Sequence, residues 1–304
     1  MFPGQASQYV GMAKELYAHS DEVKALYKLA SQEIGEDIAK LSFDGPQEKL
    51  KETRFTQPAI LLHSLAVLKI LNSSLPRFDY ACGHSLGEYG ALAVTGVMSF
   101  EDAIKAVVKR ASLMEEACRK NPGTMAAIIG LDENQVAKVC QDASKSGIVV
   151  PANFNSKKQI VISGEIEAVK SACELAKSAG AKRALLLEVG GAFHSPLMQS
   201  AREGLKKYLD NVKFNEPTSP VIANVTAQPV KNALEIKKLL VEQITAPVKW
   251  SHTMAFLAKN SVTTVFEIGP GKVLSGMAKR DMQAEKIVNL DTLTDVEAFS
   301  TVAA

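Results

Sequence analysis

The sequence predicts an α/β protein whose large domain is built on a parallel sheet, with a small α+β domain inserted in it. Three observations predict this. Helical periodicity alternates with short apolar strands on both sides of the chain's centre; the stretch 124–187 reads as strands and helices in a different order; and Gly83-His84-Ser85-Leu86-Gly87 stands between a short strand and a helix.

Taken in order, Pro58 to Leu71 reads as a helix with proline in its first turn. Tyr80-Ala81-Cys82 is a short strand, and Glu88 to Val94 a helix. Ser99-Phe100-Glu101-Asp102 has the form of a capping box opening a helix through Ile104, Val107, Val108, Ala111 and Met114. Then follow strand (Met125 to Ile129), helix (Asp132 to Cys140), strand (Ile148 to Phe154), strand (Gln159 to Ser163), helix (Glu165 to Ala179) and strand (Lys182 to Leu187). That β-α-β-β-α-β order is ferredoxin-like, with a tight turn near Ser156 and Lys157. A helix begins at Ser195-Pro196, and Val265 to Ile268 is a strand stopped by Gly269-Pro270-Gly271. The expected division is 1–119 with 190–304 as the large domain and 120–189 as the small one.

Composition narrows the function. Apolar residues make up 46% and charged residues 22%, ordinary for a globular protein. Thirty-five basic against 33 acidic residues leave a net charge of +2, without the excess a nucleic-acid binder carries. Cys82, Cys118, Cys140 and Cys173 form no short pair, and no His or Cys is spaced to build a metal cage, so neither metal nor redox chemistry is expected. The most apolar stretch, Ala59 to Leu71, is interrupted by His63 and Lys69, so no membrane span is expected. Reduced thiols and the lack of a signal-peptide pattern point to a reducing compartment such as a bacterial cytoplasm, or an organelle if a transit peptide has been removed.

The chemistry concentrates on a few residues. A strand-to-helix turn with glycine on either side of Leu86 and Ser85 is a nucleophile elbow, which pushes the Ser85 hydroxyl into the open. Such a hydroxyl needs a base within hydrogen-bond reach. His84 is adjacent but must fold back, which favours lining or packing; His19, His63 and His252 fall in helices as surface or core residues. His194, in Gly190-Gly191-Ala192-Phe193-His194-Ser195-Pro196, sits at a loop-to-helix junction, where it either faces a cleft as the base or neighbours a helix cap. Arg110 shares a helix face with Val107 and Met114, so its guanidinium borders an apolar stripe and needs an anion, either a structural carboxylate or a ligand. Phe2-Pro3-Gly4-Gln5 is a tight turn able to expose backbone N–H groups.

Together with Glu88-Tyr89 after the elbow and Glu267-Ile268-Gly269-Pro270, these motifs occur in the order found in malonyl-CoA:acyl carrier protein transacylases, which the chain resembles over nearly its whole length. The resemblance implies an α/β-hydrolase-like large domain. It implies that Ser85 attacks the thioester of malonyl-CoA, that His194 carries the proton, and that the Gln243 backbone carbonyl orients His194 in place of a carboxylate. It places the oxyanion hole on the N–H groups of Gln5 and Leu86, and the free malonyl carboxylate on Arg110. Phe193 would either disfavour a branched acyl chain or serve only in packing; Gln57, His84, Asn153 and Asn155 would line the cleft. The implied partners are malonyl-CoA and acyl carrier protein, with a coenzyme A thioester as substrate and no resident cofactor. Because the carriers are acidic, Lys157, Lys158, Lys182 and Arg183 are either a docking rim or ordinary solvated charge.

Three positions depart from the family pattern. Only Met1 precedes Phe2 where relatives have a full strand, so the natural chain is expected to start upstream. Ala6 replaces a usual glycine, at a cost of about 1 kcal/mol if the position needs positive φ. Lys157-Lys158 replaces a Pro-Gly pair. Two rival functions remain open on sequence: a serine hydrolase or thioesterase, which needs an acid between serine and histidine, and a non-catalytic module that docks carrier proteins.

Overall fold

The computed structural model describes residues 1–303. Among the described residues eight strands form: β1 (Thr124–Ile129), β2 (Val149–Ser156), β3 (Gln159–Gly164), β4 (Arg183–Leu186), β5 (Val221–Ile222), β6 (Pro229–Val230), β7 (Thr264–Ile268) and β8 (Lys286–Leu290).

The central sheet is assembled from short rows. β8 and β7 pair in parallel, Met1 adds on to β7 (its ammonium to Phe266 O, 2.6 Å; Ile268 N to Met1 O, 2.9 Å), and Phe2 pairs in parallel with Gly83. Ala81 pairs in parallel with Val221, and β5 closes the array with antiparallel β6. Side chains alternate across it. Phe2, Ala81, Val221 and Ile268 face the main core, whereas Cys82, Ile222 and Val265 face a second core around Trp250, Met254 and Leu257. Both faces are thus covered by helices, as the alternation of elements predicts.

The stretch 124–187 forms its strands and helices in the order read. Its sheet runs β2-β3-β1-β4, with all neighbours antiparallel. Helices Glu133–Ala143 and Ile166–Ser178 pack on one face around a separate core of Ala126, Ile128, Ile160 and Ile162. Asp132 and Gln135 form a capping box that fixes where the first of these helices starts. The opposite face, carrying Met125, Ala127 and Val161, joins the main core and walls the cleft. Backbone bonds from Phe154 N to Val248 O (2.9 Å) and from Val248 N to Ala152 O (2.8 Å) pin β2 to the rest of the molecule.

One helix boundary differs from expectation. The helix reaching Leu71 begins at Thr53, so Pro58 lies inside it rather than in its first turn. Burial explains the tolerance: all but three of its residues are buried, and packing of that kind outweighs the one backbone bond proline removes. The Arg110 helix, Phe100–Lys120, starts as expected, with the Ser99 hydroxyl accepting from Asp102 N at 3.0 Å.

Candidate active site

The elbow is dictated by close backbone approach. A Cβ on Gly83 would lie 2.0 Å from the Gly87 carbonyl carbon, and one on Gly87 would lie 2.1 Å from Phe2 O. Only glycine lets the turn fold over itself and lets the Phe2–Gln5 turn press against it. The bend throws Ser85 into the left-handed region, φ 51°. Asn224 holds this shape: its Oδ1 accepts from Ser85 N (2.7 Å), and its Nδ2 donates to Gly83 O (2.7 Å). Asn224 belongs to none of the motifs read in the sequence, because its task is to satisfy backbone groups remote in the chain.

His194 comes from the Gly190-Gly191 loop, also left-handed at φ 56°, and is 3% exposed. Its Nε2 lies 2.8 Å from Ser85 Oγ, and its Nδ1 lies 2.8 Å from Gln243 O. A carbonyl can only accept, so Nδ1 carries the proton and Nε2 is the bare nitrogen facing the serine hydroxyl. Burial, reinforced by the nearby Arg110 charge, pulls the His194 pKa down to about 3. The imidazole is therefore neutral in the resting site.

Arg110, 1% exposed, is the site's buried cation. Nη1 donates to Gln57 Oε1 (2.6 Å); Nη2 donates to Ser85 Oγ (3.0 Å) and to Gln243 Oε1 (3.0 Å). No carboxylate bonds it directly among the described residues. Of the two sequence readings, a direct structural ion pair is thereby removed. Gln243 does more than offer its carbonyl, since its side-chain Nε2 also donates to Ser85 O (3.0 Å) and to buried Glu88 (2.7 Å).

A cavity of about 280 Å³ opens over the serine. Gln5, Gln57, His84, Ser85, Leu86, Arg110, Asn153, Asn155, Phe193 and His194 all line it, so the residues named from sequence converge, with Gln243 just behind. No hydrogen bond engages the N–H of Gln5 or Leu86 among the described residues. His84 Nε2 donates to Asn155 Oδ1 at 2.9 Å, so these two are spent chiefly on each other. Met125, Val161, Leu187 and Val189 complete the apolar wall; sequence reading placed them in strands or loops but had no signal that they face the cleft. Lys157, Lys158, Lys182 and Arg183 are exposed at the sheet end where Ile129 pairs with both Gln159 and Arg183.

Residues 1–294 match the family model described as acyl transferase domain. The malonyl CoA-acyl carrier protein transacylase of Bacillus subtilis is 44% identical over 281 residues, covering 92% of this chain and 89% of that protein. The enzyme of that name from Haemophilus influenzae is 41% identical, covering 98% and 97%. The chain belongs to the malonyl-CoA:acyl carrier protein transacylase family. Solved structures agree: an acyl-carrier-protein S-malonyltransferase from Bartonella henselae superposes with a TM-score of 0.94 at 38% identity, covering 99% of this chain and 98% of that one. A malonyl-transacylase in complex with a type II PKS acyl-carrier protein gives 0.92 at 38% identity, over 99% and 98%. Behind His194 stands the Gln243 carbonyl, where the hydrolase reading required an acid. Among the described residues no helix is long and apolar enough to cross a membrane.

Proposed function

We propose that the protein transfers a malonyl group from malonyl-CoA to the phosphopantetheine thiol of acyl carrier protein, through an ester on Ser85. The carrying observation is that one hydroxyl, Ser85 Oγ, is shared between a bare imidazole nitrogen at 2.8 Å and a buried guanidinium at 3.0 Å. His194 Nε2 takes the Ser85 proton as Oγ attacks the thioester carbonyl. The free N–H groups of Gln5 and Leu86 take the oxyanion, each donor being worth roughly 3 kcal/mol in such sites. Collapse expels the coenzyme A thiol with the proton from His194, and the carrier's thiol runs the same steps in reverse.

Arg110 receives the malonyl carboxylate. Its Nη2 already touches the hydroxyl to be acylated, so a carboxylate two carbons beyond the ester carbonyl falls within the fork's reach. An acetyl group leaves that guanidinium with amide partners only. Phe193, Gln57, Asn153, His84 and Asn155 shape the pocket, and the four basic residues at the sheet end form a rim for an acidic carrier.

The architecture supports a hydrolase-like domain of residues 1–119 and 190–304 carrying a ferredoxin-like domain of residues 120–189. We place the enzyme in the cytoplasm, in fatty acid or polyketide assembly. Incubation with malonyl-CoA and peptide mass spectrometry tests the reading: the Ser85 peptide should gain a malonyl group that holo carrier protein removes. An unmodified Ser85 at saturating substrate would leave only the docking role, and rapid release of malonate without carrier would return the hydrolase.

A further inference from the structure

Glu88 opens the helix that follows the elbow, is 1% exposed, and does not line the cavity. The transfer chemistry above gives it no task. Its Oε2 accepts from Gln243 Nε2 at 2.7 Å and from Asn224 N at 3.2 Å. The other end of the Gln243 amide accepts from Arg110 Nη2. An amide between a guanidinium and a carboxylate has one workable orientation, oxygen toward the cation and NH2 toward the anion. A single side chain therefore links Glu88 to Arg110.

The ionisable groups that face Glu88 are Arg110 from the helix Phe100–Lys120, Tyr89 beside it, and Cys82 just before the elbow. Gln243 and Asn224 are neutral. Arg110 is thus the cation in this set. Burial pushes Glu88 up to about 7, against the pull of the Gln243 and Asn224 bonds and the Arg110 charge. The carboxyl stands balanced between its two forms near neutral pH, and the guanidinium helps hold the anion.

We propose that Glu88 is the resident counter-charge of Arg110, and that a malonyl carboxylate replaces it in that role, so that loading malonate onto Ser85 drives a proton onto Glu88. This rests on the reading that Arg110 holds the malonyl carboxylate. Two buried anions against one cation are costly, and protonating the one outside the cavity restores the balance. The site then stays close to neutral both empty and loaded. Glu88 acts as a positioning residue, keeping Gln243, and through it Arg110 and His194, in place while the pocket is empty.

Acyl transfer itself is proton-neutral at pH 7: the C–S bond breaks, the C–O bond forms, and the serine proton ends on the coenzyme A thiol. Uptake from solvent during loading therefore belongs to the protein. A single-turnover reaction with malonyl-CoA in weak buffer with a pH-indicator dye reads it, with acylation counted by intact mass. A fraction of a proton should be taken up per malonyl-Ser85 at pH 7, since burial raises the Glu88 carboxyl to about 7 in the free enzyme. The uptake should vanish at pH 5, where Glu88 is already protonated. Loading from acetyl-CoA should take up none, and neither should Glu88→Gln loaded with malonate.

Malonylation without uptake, or equal uptake with both acyl groups, overturns the proposal; the wild-type comparison decides even if Glu88→Gln does not fold. Arg110→Ala separates the two layers. Should it keep the wild-type preference for malonyl over acetyl, the carboxylate reading falls and the proposal with it. If it loses that preference while wild type takes up no proton, only the Glu88 coupling fails.

Discussion

Three residues that are not glycine hold left-handed backbone around the serine: Ala6 (φ 80°), Ser85 (φ 51°) and His194 (φ 56°). At the last two the conformation aims the hydroxyl and the imidazole at each other, and the surrounding bonds hold it. Ala6 is exposed and has no such return. Ala6→Gly should therefore raise stability by about 0.5 kcal/mol, the relief of left-handed strain less the added freedom of glycine in the unfolded chain. A higher Tm at unchanged malonyl preference would show it, and a lower Tm would refute it. His194 carries a pH signature. Its folded pKa of about 3 lies below the ordinary 6.5, so the unfolded chain binds the extra proton between those values. Its contribution is whole above pH 6.5 and is lost as pH falls toward 3. Between pH 7 and pH 4 wild type should lose about 3 kcal/mol that His194→Asn does not, as read from urea unfolding at each pH. Parallel losses would mean that the imidazole is not held neutral by burial.

At the scale of the element, the elbow was legible and its support was not. Gly83 and Gly87 announce a turn in which backbone meets backbone, and the clashes a Cβ would make there bear that reading out. Asn224 closes the same turn from 139 residues away through backbone partners, and such a role leaves no local pattern. Asn224→Ala would orphan Ser85 N and Gly83 O. It should lower stability by about 2–4 kcal/mol and slow Ser85 malonylation, measured by unfolding and by burst-phase acylation. Unchanged acylation would mean that the glycines shape the elbow unaided. Pro58 makes the converse point. Local proline chemistry set the predicted helix start, and burial of the helix overrode it by five residues.

Across the whole molecule, the small unit is tied to the rest by the backbone bonds of β2 to Val248, by the Glu133–His252 pair and, beside Ser85, by the His84–Asn155 bond. The bonds to Val248 hold the unit on; the His84–Asn155 bond closes it against the elbow, and Asn155 is therefore expected to limit how much water reaches the ester. Asn155→Ala should make malonyl-Ser85 hydrolyse several-fold faster when no carrier is present, with little change in loading rate. Intact mass followed over time reads both quantities, and an ester as long-lived as that of wild type would deny the latch.

The pieces were readable in the chain: the elbow, the histidine at a loop-to-helix junction, an arginine on an apolar stripe, and the succession of strands and helices over 124–187. Each follows from local rules, namely glycine at a close approach, helical spacing, and the alternation of a strand with one face buried. Tertiary structure alone decided which of five histidines meets Ser85, that a carbonyl rather than an acid stands behind it, and that Glu88 answers Arg110 through Gln243. These are contacts between residues 109, 49, 155 and 133 positions apart in the chain. Desolvation gives such contacts their weight, and burial exists only once the chain has closed around them.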